Sequence, residues 1–395
     1  MKAIKIICAS VIWSLWITSL FAQGWYPQTS GTNSLLMDVH FSDPHTGWIV
    51  GITNTILHTT DGGDNWNPQN PPPSVNYYSV YFTDDLTGHA VGATVGGSGR
   101  IRHTTDGGGT WEPVSINDGY SLWSVFFIND TMGWIAGGRE YGFNIDPIRT
   151  IHHTNDGGYT WSLQLYQYDS LPLHDVHFIN EQTGCAVGEH GIIFWTTDGG
   201  NNWAEQTSGT GQHLWGIRLL DEYNAWAAGV QGTILHTTDA GLTWIPQNAD
   251  TSYGFRKVIF PDASNGWISG GDNDAGIVLH TSDSGTTWET QYTGASQALM
   301  SVYFTDADTG WAVGNIGTIM HTTNGGTGII EDAVTAADNV HIGSTISNGP
   351  FNLSERGTFK IFDIAGREVH NLNPASGIYF IEVEGTIKRK VIKVR

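Results

Sequence analysis

HTTDGGDNW (His58 to Trp66) returns along the chain as HTTDGGGTW (His103 to Trp111), HTNDGGYTW (His153 to Trp161), WTTDGGNNW (Trp195 to Trp203), HTTDAGLTW (His236 to Trp244) and HTSDSGTTW (His280 to Trp288). A seventh copy, HTTNGGTG, starts at His321 and lacks the tryptophan. The turn carboxylates Asp61, Asp106, Asp156, Asp198, Asp239 and Asp283 follow one another at intervals of 41 to 50 residues. Each unit opens with an alternating stretch such as LMDVHF (Leu36 to Phe41), WSVFF (Trp123 to Phe127) or MSVYF (Met300 to Phe304). A second strand follows, as in TGWIVG (Thr46 to Gly51), then a third such as GTILHTT (Gly232 to Thr238), and a fourth begins at the repeat-ending tryptophan. Four short antiparallel strands in ~40–45 residues make one propeller blade, so the expected fold is all-β with seven blades.

The missing tryptophan of the seventh repeat points to how the ring closes. GWYPQTSGT (Gly24 to Thr32) matches NWAEQTSGT (Asn202 to Thr210), and Trp25 stands 41 residues before Trp66, within the repeat spacing. The first strand of the chain is therefore expected to be the outer strand of blade seven. Such closure leaves only short edges exposed.

Composition agrees with a large β-rich core: 39% hydrophobic and 12% aromatic content exclude a disordered chain, and 51 Gly punctuate many short strands. Residues 1–22 read as a secretory signal peptide, with Lys2 and Lys5 ahead of an apolar run from Ile6 to Phe21 and cleavage expected after Ala22. No later segment has the length of a membrane span, so a soluble, exported protein is expected. Cys8 leaves with the leader, which makes Cys185 the one cysteine of the mature chain and excludes an internal disulfide. The formal net charge is −21, and between Gly24 and Thr327 only Arg100, Arg102, Arg139, Arg149, Arg218, Arg256 and Lys257 oppose 30 acids. A surface this acidic disfavours nucleic acid as a partner.

Six intact Ser/Thr-x-Asp-x-Gly-x-x-Trp matches at blade spacing resemble the Asp-box, or bacterial neuraminidase, repeat proteins. More closely, residues Gly24 to Gly326 resemble secreted relatives of the photosystem II assembly and stability factor. The resemblance implies a propeller over residues 23–327 and leaves its chemistry open, because fold does not fix function.

The repeat stops after Gly326. Residues 328–349 read as a linker and 350–395 as a small C-terminal β-sandwich, with a start near 335 as an alternative. KIFDIAGREV, SGIYFIEVEG and KRKVIKV resemble the C-terminal sorting domain of proteins exported by the type IX secretion system of Bacteroidetes. That resemblance implies type IX machinery as a partner, and a secreted or surface-attached location.

Several residue sets invite a chemical reading. In the Asp-Gly turns the carboxylate is expected to accept local backbone N–H bonds, which gives those six aspartates a structural role. His58, His103, His153, His236, His280 and His321 share one blade position, and rotation about the propeller axis separates them, whereas zinc needs its ligands ~2 Å from one point. They read as packing residues. Asp272, Asn273 and Asp274 lack the spacing of an EF-hand and read as an acidic turn. Cys185 fills the slot of Trp48, Trp134 and Trp226, so it reads as a small buried apolar residue rather than a nucleophile. No metal and no cofactor are expected.

A sialidase would hold its substrate carboxylate with three arginines, and none of the six propeller arginines stands in the Arg-Ile-Pro setting that sialidases carry. Asp38 and Asp175, on inner strands, keep a two-carboxylate glycosidase open as the alternative. The remaining candidate is a binding surface. Met37, Tyr78, Trp123, His174, Trp215, Arg256 and Met300 are expected to ring the channel mouth on the face opposite the Asp-Gly turns. A blade-three insertion adds Tyr141 and Phe143. Aromatic rings beside polar groups stack on sugars or anchor a protein segment. The reading is a monomeric, non-catalytic recognition or scaffold protein for an extracellular protein or glycan, with a glycan-cleaving hydrolase as the alternative.

Overall fold

The computed structural model describes residues 24–327, apart from 117–118, 140–146, 169 and 250–251, together with four strands in the C-terminal tail. The chain divides into two compact units, Met1–Gly328 and Ile329–Arg395. The leader 1–22 and the insertion residues Tyr141 and Phe143 lie outside the described residues.

The first unit is a seven-bladed propeller of four-stranded antiparallel sheets. Blade one runs Leu36–Phe41, Gly47–Gly51, Thr55–Thr59 and Asn67–Pro68 from the centre outward. Inner strands of successive blades touch, and that of blade one touches that of blade seven, which closes the circle.

One aromatic arrangement, repeated around the ring, holds the blades together. Trp48 stacks on Phe82 of the next blade with ring centroids 3.4 Å apart, Trp134 on Phe178 at 3.5 Å, Trp267 on Phe304 at 3.7 Å and Trp311 on Phe41 at 3.5 Å. The same phenylalanines meet their own blade's turn tryptophan edge-on, as Phe41 meets Trp66 at 5.9 Å and Phe82 meets Trp111 at 5.9 Å. Each contact adds about 0.5–1.5 kcal/mol beyond the area it buries. Close packing also explains a glycine: a Cβ on Gly47 would intrude on the Phe41 ring. Cys185 is fully buried and packs in one cluster with Leu219, a smaller version of the same contact.

Closure follows the expectation from the repeat. Tyr26–Thr29 pairs antiparallel with Thr318–Thr323, Tyr26 opposite His321 and Thr29 opposite Thr318. The leading segment makes the bonds of an ordinary outer strand. Gln28 Nε2 donates to the Gly62 carbonyl at 3.0 Å, as Gln69 does to Gly107 at 3.0 Å and Gln291 to Gly325 at 2.8 Å. Trp25 Nε1 donates to Gln291 at 3.0 Å, as Trp111 does to Gln69 at 2.9 Å.

The Asp-Gly turns are held internally. Asp61 Oδ1 accepts from Thr59 Oγ1 at 2.8 Å and from the Asn65 N–H at 2.9 Å, while Thr59 Oγ1 accepts the Gly63 N–H at 2.9 Å. Gly62 and Gly63 supply the positive φ angles, 71° and 88°, that bring these groups together. Asp106, Asp156, Asp198, Asp239 and Asp283 repeat the bond from the threonine two residues earlier at 2.7–2.9 Å.

In the second unit, Ile346–Ser347, Thr386–Lys393, Gly377–Val383 and Phe359–Asp363 form one sheet in that order. Its first strand falls inside the stretch expected to be a linker, where Ile346 pairs in parallel with Ile392. Arg367 to Val369, the end of the segment KIFDIAGREV, lie outside the described residues, as would any second layer of a sandwich.

Candidate functional site

All seven inner strands carry the same irregularity. Their pairing skips one residue between Leu36 and Asp38, Tyr77 and Ser79, Leu122 and Ser124, Leu173 and Asp175, Leu214 and Gly216, Phe255 and Lys257, and Leu299 and Ser301. The skipped residues are Met37, Tyr78, Trp123, His174, Trp215, Arg256 and Met300. A bulge frees its residue from the ladder and re-aims the side chain. All seven are half-buried and line one cavity of ≈ 320 Å³, so the ring expected at the channel mouth is brought together.

One side of this mouth is a continuous aromatic arc. Tyr78 stacks on Trp123 with centroids 4.4 Å apart, Trp123 meets His174 at 5.4 Å and His174 meets Trp215 at 5.9 Å. The Arg256 guanidinium lies 3.0 Å from the centre of the Trp215 ring. Burial lowers the Arg256 pKa to about 10, which leaves it charged at neutral pH and favours contact with an aromatic face over water. Met37 and Met300 complete the circle.

In six of the seven blades the residue after the bulge is polar, Gly216 being the exception, and these residues form a layer that simple strand alternation does not anticipate. Asp38 accepts from Ser301 Oγ at 2.7 Å, Ser79 Oγ at 2.9 Å, and the Val39 and Val80 N–H groups at 3.0 and 3.1 Å. Asp175 accepts from Ser124 Oγ at 2.6 Å, the Val176 and Ile217 N–H groups at 3.1 Å each, and Lys257 Nζ at 3.3 Å. Burial disfavours the Lys257 ammonium, but the carboxylates of Asp175 and Asp38 outweigh that penalty and raise its pKa.

One step further along the strands, Tyr303 and Tyr81 flank His40 with centroids at 4.9 and 4.6 Å, and Phe126 meets His177 at 4.5 Å. Burial, followed by the Lys257 charge, pushes the His40 pKa down to about 3. Burial also holds His177 far below the ordinary range, reinforced by Arg218 and Lys257. His177 Nδ1 accepts the Leu219 N–H at 3.3 Å, so its neutral ring carries the proton on Nε2. Lys257, Arg218, His40 and His177 are central residues that the sequence reading did not single out.

At the rim, Glu189 Oε1 stands 3.6 Å from His174 Nε2 and Oε2 stands 3.9 Å from His213 Nδ1. The neighbouring His174 imidazole holds the Glu189 carboxyl below the usual glutamate range against the opposing effect of burial.

Other candidates resolve locally. His58, His236, His280 and His321 stack on Trp48, Trp226, Trp267 and Trp311 with centroids 4.0–4.8 Å apart. Asp272 Oδ1 accepts the Asp274 and Ala275 N–H groups at 2.8 and 3.0 Å, an ordinary capped turn. Burial raises the Cys185 thiol well above its usual value. Among the described residues, no helix is long and apolar enough to cross a membrane.

Comparison with known proteins places this geometry in a lineage. The family described as photosynthesis system II assembly factor YCF48 matches residues 17–122, 160–249 and 206–294. The photosystem II assembly protein Ycf48 of Thermosynechococcus vestitus is 36% identical over 56 residues, 14% of this chain and 16% of that protein. The chloroplastic photosystem II stability/assembly factor HCF136 of Cyanidioschyzon merolae is 48% identical over 40 residues, 10% of this chain and 9% of that protein. The aligned segments thus span less than a fifth of either curated relative. Among solved structures, YCF48 bound to a D1 peptide superimposes with a TM-score of 0.62 at 20% identity, covering 76% of this chain and 97% of that one. The GH74 xyloglucanase of Xanthomonas campestris superimposes with a TM-score of 0.57 at 12% identity, covering 77% of this chain and 54% of that one. Both likenesses are of fold. Because the family match extends over more than half of the 395 residues, the chain belongs to the family of the photosynthesis system II assembly factor YCF48.

Proposed function

We propose that this protein is an exported, non-catalytic recognition propeller whose channel mouth takes an extended segment of a partner protein. The observation that carries the reading is the arc from Tyr78 through Trp123, His174 and Trp215 to Arg256. Flat rings at low entropic cost, ending in a held cation, suit a peptide's apolar side chains and its carbonyl or carboxylate oxygens. A relative of the same fold has been solved with a D1 peptide bound, which favours a peptide over a glycan as the partner class.

The two-carboxylate alternative fares worse on the same geometry. A general base needs a free lone pair within reach of the proton it takes. Asp38 accepts four hydrogen bonds and Asp175 five, from serines, backbone amides or Lys257. These carboxylates tie neighbouring inner strands together.

Parallel screens against short peptides and a glycan panel test the proposal. Peptide binders are expected, with Trp215→Ala and Arg256→Ala each weakening them by at least about 30-fold, the loss that removal of a hot-spot residue brings. Release of sugar products that stops in Asp38→Asn or Asp175→Asn would overturn it.

Export and surface delivery are part of the proposal, supported by the N-terminal leader and by the tail segments that resemble a type IX sorting domain. Deleting the chain from Thr327 onward is expected to leave the propeller folded and trap it in the periplasm, as read by cell fractionation. Normal surface delivery of the truncated chain refutes the sorting assignment.

A further inference from the structure

Beyond peptide recognition, we infer that Glu189, His190 and His213 form a binding site for a transition-metal dication of the zinc type on the rim of the channel mouth. One donor atom from each of the three residues lies within 4.8 Å of the others, the one such grouping among the described residues. Two imidazoles and a carboxylate are a ligand set suited to zinc and its neighbours rather than to calcium or magnesium, which prefer oxygen throughout. Closing onto an ion at ~2 Å draws the donors together by roughly 1 Å. Rotation of the exposed His190 side chain and the half-exposed His213 ring supplies that movement.

The sequence hides this site because it spans two blades. Glu189 and His190 sit in the short turn Glu189–Gly191, between the second and third strands of blade four, and His213 immediately precedes the inner strand Leu214–Leu219 of blade five. The lone pair on His213 Nδ1 faces the Glu189 carboxylate at 3.9 Å and meets the His190 N–H over a long 3.4 Å. Coordination through this atom exchanges that long backbone bond for the ion. His174 is outside the ligand set, and its Nε2, 3.6 Å from Glu189 Oε1, holds the carboxylate in place.

An internal control separates the cluster from the needs of the fold. The turn Asn315–Gly317, at the junction of blades seven and one, has the same backbone: Ile316 has φ 54° and ψ 41°, and His190 has φ 54° and ψ 32°. The residue preceding the inner strand there is Leu35, corresponding to His213. Asn315, Ile316 and Leu35 thus occupy the frame that Glu189, His190 and His213 occupy here. The backbone requires none of the three donor side chains, yet all three appear together at one junction.

The same control provides the test. Untagged full-length chain titrated with zinc chloride by calorimetry is expected to take up one equivalent, and cobalt(II) in its place is expected to give visible d–d absorption of a low-coordinate site. The triple variant Glu189→Asn, His190→Ile, His213→Leu installs the residues that the junction of blades seven and one already carries, so circular dichroism and thermal midpoint without metal should stay unchanged. It should lose zinc binding by at least about 100-fold. His174→Gln should weaken it by about 10–100-fold, as loss of a residue that orients a ligand does. Equal binding by the triple variant, or wild-type affinity weaker than about 100 μM, overturns the assignment. Neither readout depends on a peptide being bound, so the proposed recognition function and the metal site fail separately.

Discussion

Trp25→Ala is expected to destabilise the propeller by about 3–5 kcal/mol, the range for deleting a fully buried large aromatic ring. Trp25 is 0% exposed, packs edge-on against Phe304 at 5.7 Å and donates to Gln291 at 3.0 Å. The loss falls on the one blade whose four strands come from both ends of the propeller sequence. Trp66→Ala is the control, because Trp66 has the same turn position in a blade that is continuous in sequence. Urea titration should show a lower midpoint for both variants. Only Trp25→Ala should also speed amide exchange in Thr318–Thr323, whose outer partner strand it anchors. A change below about 1 kcal/mol, or no difference in exchange between the two variants, would show that the leading strand does not lock the ring.

Mild acid is expected to cost still more. Burial is the leading cause that lowers the pKa of His40 and His89 to about 3 and of His321 to about 4. An unfolded histidine titrates near 6.5, so between those values the unfolded chain binds protons that the native chain refuses. Stability from this source is complete above pH ~6.5 and falls as pH drops toward 3–4. At pH 5 each of the three costs roughly 2 kcal/mol relative to pH 7, a combined loss comparable with the whole stability of many domains. The turn aspartates act in a lower window: hydrogen bonds depress Asp61 and Asp106, whose contribution is present above ~3.8 and disappears below it.

His89 offers a clean separation of these windows. Its Nε2 faces the Gly157 carbonyl at 3.1 Å, where Trp48 and Trp311 donate their indole N–H to Gly107 and Gly62 at 3.0 and 3.1 Å. His89→Trp therefore keeps the hydrogen bond and removes the titration. Denaturant midpoints at pH 7 and 5 should differ less in this variant by about 2 kcal/mol equivalent. A wild-type midpoint that does not move between pH 7 and 5 would contradict the account.

The sequence made the ring readable because one turn and one alternating strand recur seven times, because the turn tryptophan follows six of those turns, and because Trp25 supplies what His321 to Gly328 lacks. The mouth was readable too, since Met37, Tyr78, Trp123, His174, Trp215, Arg256 and Met300 share a repeat position. Alternation assigns opposite faces to neighbours, however, and the bulge in every inner strand brings two consecutive residues to the channel. That is why Asp38 and Asp175 looked available for chemistry, while Lys257, their shared counter-charge, went unmarked. The rim residues Glu189 and His213 meet across a blade boundary, and only a residue-by-residue alignment of the repeats would have set them beside Asn315 and Leu35.

The lock formed by Tyr26–Thr29 has a consequence for how the chain is made. Its pairing partner, Thr318–Thr323, leaves the ribosome almost 300 residues later. Throughout that interval the leading strand has an unsatisfied backbone edge, and blades one to six mature without their final neighbour. A product that ends before Thr318–Thr323 has no strand to pair with Tyr26–Thr29, so that edge stays open. The ring can therefore close only once its seventh blade has been made, whatever follows it in the chain.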